Sequence, residues 1–176
     1  MGINYNKCNL LTNILYDYTV NNQDIEDIIN IIKALMIDNI KERYNFIYDK
    51  VCDYLDNKFI NENICEFKND ICLEKRKCNL PITMGCCHRF VNRFSIFFSL
   101  KPKTRLCPEL KNKHCSIKSI SCKLFTCSGL NYKKLKFTPN NIKLLKYTFN
   151  IPQKIILICS LYKNKEITIN RLLFFK

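Results

Sequence analysis

Residues 24–36 read DIEDIINIIKALM, and this run decides the fold class. Ile25, Ile28, Ile29, Ile32, Leu35 and Met36 recur three and four apart, the period that lines one side of an α-helix. The stripe is expected to be core packing rather than a cofactor-binding element. Asn22 stands where an N-cap would accept the first free backbone N–H groups. Downstream, Ile40, Tyr44, Ile47, Tyr48, Val51, Leu55 and Phe59 keep the same period; upstream, Leu10, Leu11, Ile14, Leu15 and Tyr18 predict an earlier helix. Residues 8–60 thus read as one helical part.

The last part returns to helix. Thr138-Pro139-Asn140 is a start signal, because proline suits a first helical turn. Ile151-Pro152 opens a second helix through Ile155, Ile156, Ile158 and Leu161, and a third is expected from Ile167 to Phe174. Between these parts, residues 61–130 hold no sustained period. One apolar island, Phe94 to Leu100, reads as a strand or a short buried helix that would insulate what lies beside it. The chain has 176 residues, 47% of them hydrophobic, which suits one domain with a real core. The expected fold is mainly α, a single domain over residues 1–176, with helices at 8–60 and 131–176 flanking a cysteine-rich, irregular metal-binding centre at 61–130.

That centre is expected because ten of the twelve cysteines fall between Cys52 and Cys127. No apolar run approaches the roughly 20 residues of a membrane span. The start, MGINYNKCNLLTNIL, lacks a basic n-region and a small-residue cleavage site, and Asn6 breaks the myristoylation pattern. A cytoplasmic protein with no membrane partner is therefore the expectation. Disulfides are rare in a reducing cytosol, so metal ligation ranks ahead of a disulfide framework. Thiolates select zinc, Cu(I) or iron–sulfur clusters. The spacing Cys107-x7-Cys115-x6-Cys122-x4-Cys127 contains no Cys-x2-Cys, which removes zinc-finger knuckles and thioredoxin-like redox pairs. The adjacent pair Cys86-Cys87 suits a cluster or two neighbouring metals better than one zinc ion. Gly85 before it would allow a close backbone approach.

The charge is as uneven as the cysteines. Residues 1–75 carry 8 Lys/Arg against 13 Asp/Glu, whereas residues 76–176 carry 21 Lys/Arg against only Glu109 and Glu166. Lysines interleaved with aromatics, from Tyr132 through Phe137 and again at Lys143, Lys146 and Tyr147, suit a nucleic-acid backbone with base stacking. A helix that shows lysines to water and aromatics to the core is the preferred reading.

Cys107-Pro108-Glu109-Leu110, Cys115-Ser116-Ile117 and Cys122-Lys123-Leu124-Phe125, preceded by Met84-Gly85-Cys86-Cys87, resemble the YkgJ-type family, named for its CxxCxxCC motif and described as an iron- or zinc-chelating domain. The resemblance covers residues 84–127. The family's Cys-x-x-Cys ahead of the double cysteine is missing: Cys78 and Cys72 lie eight and fourteen residues before Cys86. The resemblance implies an iron–sulfur cluster, with zinc as the alternative. The expected ligands are Cys86, Cys87, Cys107, Cys115 and Cys122, joined by Cys65, Cys72 and Cys127. Cys8 and Cys159 are read as ordinary buried thiols, and Cys52 and Cys78 are left unassigned. One branch of the family, the flagellin lysine-N-methylases, implies an S-adenosylmethionine-dependent alternative; glycine only at positions 2, 85 and 129 gives it no glycine-rich nucleotide loop. His88 and His114 each adjoin a cysteine, and Asp53 and Asp56 sit three apart beside Cys52. No nucleophile–base–acid constellation stands out, so enzyme activity is left open. The expected role is structural or redox, toward a protein partner or substrate that the sequence does not name.

Overall fold

A computed structural model describes residues 25–61, 67–68, 71–72, 88–90, 104–111, 114–115, 118–125 and 137–175. The expected helix at residues 10–18, the Asn22 cap and the Phe94–Leu100 island lie outside them. The described residues are mainly helical: α1 (Ile25–Met36), α2 (Ile40–Asn61), α3 (Ile120–Leu124), α4 (Lys143–Thr148), α5 (Ile151–Cys159) and α6 (Lys165–Leu173). Three short antiparallel ladders lie between α2 and α3: β1 (Phe67–Lys68) with β2 (Ile71–Cys72), β3 (His88–Phe90) with β4 (Thr104–Leu106), and β5 (Leu110–Lys111) with β6 (His114–Cys115).

The side chain of Asn39 starts α2 by accepting from the N–H groups of Lys41 and Glu42 at 2.9 and 3.2 Å. These are two of the donors that a helix start leaves without intrahelical partners. The guanidinium of Arg43 returns to the Ile37 carbonyl with two bonds, of 2.8 and 2.7 Å, which fixes the corner between α1 and α2. Along α2 the expected face is the observed one: Tyr44, Ile47, Tyr48, Val51 and Leu55 are buried, Ile40 is partly buried, and the Phe59 ring lies 5.5 Å from that of Phe137.

The face of α1 differs from expectation. Ile31 and Ala34 are its wholly buried residues, Ile28 and Leu35 pack partly against the core, and Ile25, Ile29 and Met36 are exposed. With isoleucine at 25, 28, 29, 31 and 32, two overlapping stripes satisfy the same period. The one that holds Ile31 and Ala34 is the one that meets the core.

In the C-terminal part, Pro139 sits in a turn rather than in a helix. The Asn141 N–H donates to the Thr138 carbonyl at 3.0 Å, and α4 begins four residues after the proline. Pro152 does occupy a first turn. Asn150 and Gln153 form a reciprocal capping box at the start of α5, with the Gln153 N–H on Asn150 at 2.9 Å and the Asn150 N–H on Gln153 at 3.0 Å. Asn164 caps α6 by accepting from the Ile167 N–H at 2.9 Å. Leu144, Leu145, Leu157, Ile169 and Leu172 from these helices meet α2 in one core.

Candidate metal centre

The eight expected ligands are reached unequally by the described residues. Cys107 and Cys122 are described with their side chains, both buried. Cys72 and Cys115 are placed by their backbone in β2 and β6. Cys65, Cys86, Cys87 and Cys127 lie outside the described residues. Among the described residues, no three His, Cys, Asp or Glu come together as a metal site, and Cys52, Cys107, Cys122 and Cys159 are free thiols.

The ladders show how the cysteine pattern is laid out along the backbone. In β3–β4, His88 pairs with Leu106, Arg89 with Arg105 and Phe90 with Thr104. The residue before His88 in sequence is Cys87, and the residue after Leu106 is Cys107. One rung thus ties the double-cysteine stretch to the Cys107 stretch, with a single peptide bond on either side. Leu110, three residues beyond Cys107, then pairs with Cys115 in β5–β6. In β1–β2, Cys72 pairs with Phe67, two residues beyond Cys65. Each of the three ladders therefore carries an expected ligand on it or beside it.

Cys122 sits on α3, whose five residues are all buried. This element was expected to belong with the metal-organised centre; instead Ile120 and Leu124 are part of the helical core. Polar contacts clamp it on several sides. The Tyr48 hydroxyl donates to the Lys118 carbonyl and accepts from the Ile120 N–H, both at 3.2 Å. Ser121 donates to the Leu157 carbonyl. The Lys123 ammonium, almost wholly buried, pairs with Asp56 on α2. A buried ammonium is costly unless paired, so Asp56 is what allows a lysine in this position.

The sulfur of Cys122 accepts the Tyr162 N–H at 3.3 Å. Tyr162 has φ of 59°, the left-handed region that costs a residue with a Cβ roughly 1–2 kcal/mol. It lies in the turn closed by the Lys163 N–H on the Ser160 carbonyl at 3.1 Å, between α5 and α6. That turn aims a backbone donor at the Cys122 sulfur. Hydrogen bonds to ligating sulfurs are one means by which a protein sets the potential of an iron–sulfur centre.

Two other cysteines are placed clearly. Cys52, left unassigned from sequence, is wholly buried in the α2 face of the core. Burial pushes its thiol from 9.0 up to about 12, and the nearby Lys123 offsets only part of that. It is a neutral packing group. Cys159 corrects the reading of it as buried: it is exposed at the end of α5, because the core side of that helix is taken by Gln153 and Leu157.

The acidic pair also finds its use here. Asp53 and Asp56, together with Asp49, receive Lys118, Lys123 and Lys165, the first pair at 3.6 Å and the last at 2.8 Å. The acidic N-terminal part thus neutralises some of the basic C-terminal part. Phe137 and Tyr147, from the basic stretch with interleaved aromatics, pack against the core. Lys146 is exposed, its ammonium 4.7 Å over the Tyr147 ring.

A cavity of about 800 Å³ lies elsewhere, among α1, α2 and the start of α4. Glu26, Asp27, Asp53, Tyr54, Lys58 and Lys143 are among its lining residues, which include neither cysteine nor histidine. No described helix is long and apolar enough to cross a membrane. Compared with protein-family models, curated proteins and solved structures, the chain matches none.

Proposed function

We propose that this chain is a metal-binding protein of the YkgJ type, holding an iron–sulfur cluster, with zinc as the alternative, in a structural or redox role. Cys86, Cys87, Cys107, Cys115 and Cys122 are its principal ligands, and Cys65, Cys72 and Cys127 complete the set. The observation that carries the proposal is the β3–β4 register, which joins the neighbour of Cys87 to the neighbour of Cys107. Two further features support it. A two-stranded ladder is at best marginal by itself in water, and among the described residues each of the three ladders pairs two strands. Metal–thiolate bonds supply folding free energy directly, and they would act where the expected ligands lie. The Tyr162 N–H on the Cys122 sulfur is the other feature.

The test is anaerobic purification followed by metal and acid-labile sulfide analysis and an absorption spectrum. Iron and sulfide in equal amounts, with visible charge-transfer bands, are expected; zinc without colour selects the alternative. Cys86→Ser and Cys122→Ser should each lower the metal content and loosen the segment between α2 and α3. Unchanged stoichiometry in both variants would refute the proposal.

A further inference from the structure

The outward face of α5 is apolar where a surface helix should be polar. Its buried residues are Gln153 and Leu157. At 100° per residue, Ile151, Ile155 and Ile158 lie on the opposite side, and they are 73%, 54% and 50% exposed. Gln153 donates to the Phe175 carbonyl at 3.2 Å, which sets the end of α6 beside the first turn of α5, and Phe174 is 86% exposed there. At the other end of the stripe, Ile158 borders a cleft of about 160 Å³ lined also by Leu124, Phe125, Phe137 and Pro139. Exposed apolar side chains gathered along one helix face mark an interaction surface.

Its surroundings are cationic. Residues 137–175 carry six Lys/Arg against the single acid Glu166 in the same stretch, with Lys165 paired to Asp49 of α2. Lys154 adjoins Ile155, and Arg171 stands one turn before Phe174. The Lys154 ammonium is held by Asn140 and the Lys146 carbonyl at 3.0 and 3.2 Å. A second copy would bring like charges together around the same patch. The outer side of one helix is convex, which suits a flat, deformable surface better than a partner's groove.

We infer that this face docks on an anionic lipid surface, with Ile151, Ile155, Ile158 and Phe174 entering the headgroup–acyl boundary and the lysines meeting lipid phosphate and carboxylate. Apolar burial combined with attraction to anionic lipid is how interfacial helices bind without spanning. The inference revises the sequence-based expectation of no membrane partner, and it is independent of the metal.

The test is co-sedimentation of the full chain with vesicles of phosphatidylcholine alone or mixed with phosphatidylserine. Binding is expected to the mixed vesicles, to weaken with salt, and to be weak on phosphatidylcholine alone. Ile155→Ser and Phe174→Ser keep the charge, and each should lower partitioning by about tenfold, as loss of a buried apolar side chain does. Phe174→Trp places the only tryptophan in the chain; its emission should shift to the blue on the mixed vesicles and be quenched by brominated lipid. Failure to bind either vesicle overturns the inference. So does full binding by both serine variants, which would reduce it to generic charge attraction. A tryptophan already shielded from a soluble quencher without lipid also overturns it, because a second copy or another segment of the chain would then cover the face.

Discussion

In the helical body, Ile47 and Leu55 of α2 are wholly buried against Leu145, Leu157 and Leu172 from three other helices. In the stretch between α2 and α3, the described backbone pairs only in twos, over two or three residues at a time. The first region is held by apolar area removed from water, at roughly 25 cal/mol per Å². In the second, the described order is the backbone pairing of three short ladders, which carry Cys72 and Cys115. The two regions use different residues: isoleucine and leucine make the helical frame, and most of the cysteines fall in the stretch between α2 and α3. α3 is the junction, since Ile120 and Leu124 belong to the core and its one cysteine, Cys122, belongs to the cysteine pattern of the sequence.

The largest expected effect that would break this division comes from Leu55→Ala. It should cost about 2–5 kcal/mol, read as a lower urea midpoint, while metal content per folded molecule stays unchanged. Loss of metal without loss of stability would blur the two regions into one. Asp56→Ala comes next. It leaves the Lys123 ammonium buried without its partner, and roughly 1–3 kcal/mol should be lost; Lys123→Met combined with it should recover most of that.

Tyr48→Phe sharpens the role of the junction. It removes the bonds to the Lys118 carbonyl and from the Ile120 N–H, at a cost of about 1–3 kcal/mol, and should raise hydrogen exchange in α3 more than in α5. A related effect appears at alkaline pH. Burial raises the Tyr48 hydroxyl from 10.0 and the Cys52 thiol from 9.0, each to about 12. Both hold their protons more tightly when folded, so their contribution is complete below the unfolded values and fades as pH climbs toward about 12. The urea midpoint should fall over that window, and fall less in Tyr48→Phe. The smallest effect is Asn150→Ala, which opens the capping box of α5 for about 1 kcal/mol.

The helices were legible because burial imposes a period. Tyr44, Ile47, Tyr48, Val51 and Leu55 follow it without competition, and the face of α2 was read correctly. The face of α1 was not, because too many isoleucines leave two registers equally apolar and only the tertiary partner chooses. Pro139 shows a similar limit: a residue that fits a first helical turn fits a β-turn equally well. Lys123 could not have been found from its neighbours in sequence, since its burial depends on an aspartate 67 residues away. Cys52, unassigned from sequence, is buried, and Cys159, expected buried, is exposed, for the same reason: a thiol's surroundings are set by the opposing element, which sequence spacing does not carry. The cysteine pattern itself was plain, and the ladders add what spacing lacked, the rung that links its two halves.

The three aspartates of α2 have a temporal consequence. Their lysine partners lie at 118, 123 and 165, so during synthesis the helix leaves the ribosome long before they are made. Closing so long a loop is slow, although its entropic cost grows only with the logarithm of its length. Maturation of the helical body must therefore wait for the C-terminal helices, and the cysteines between them are translated before that body has closed.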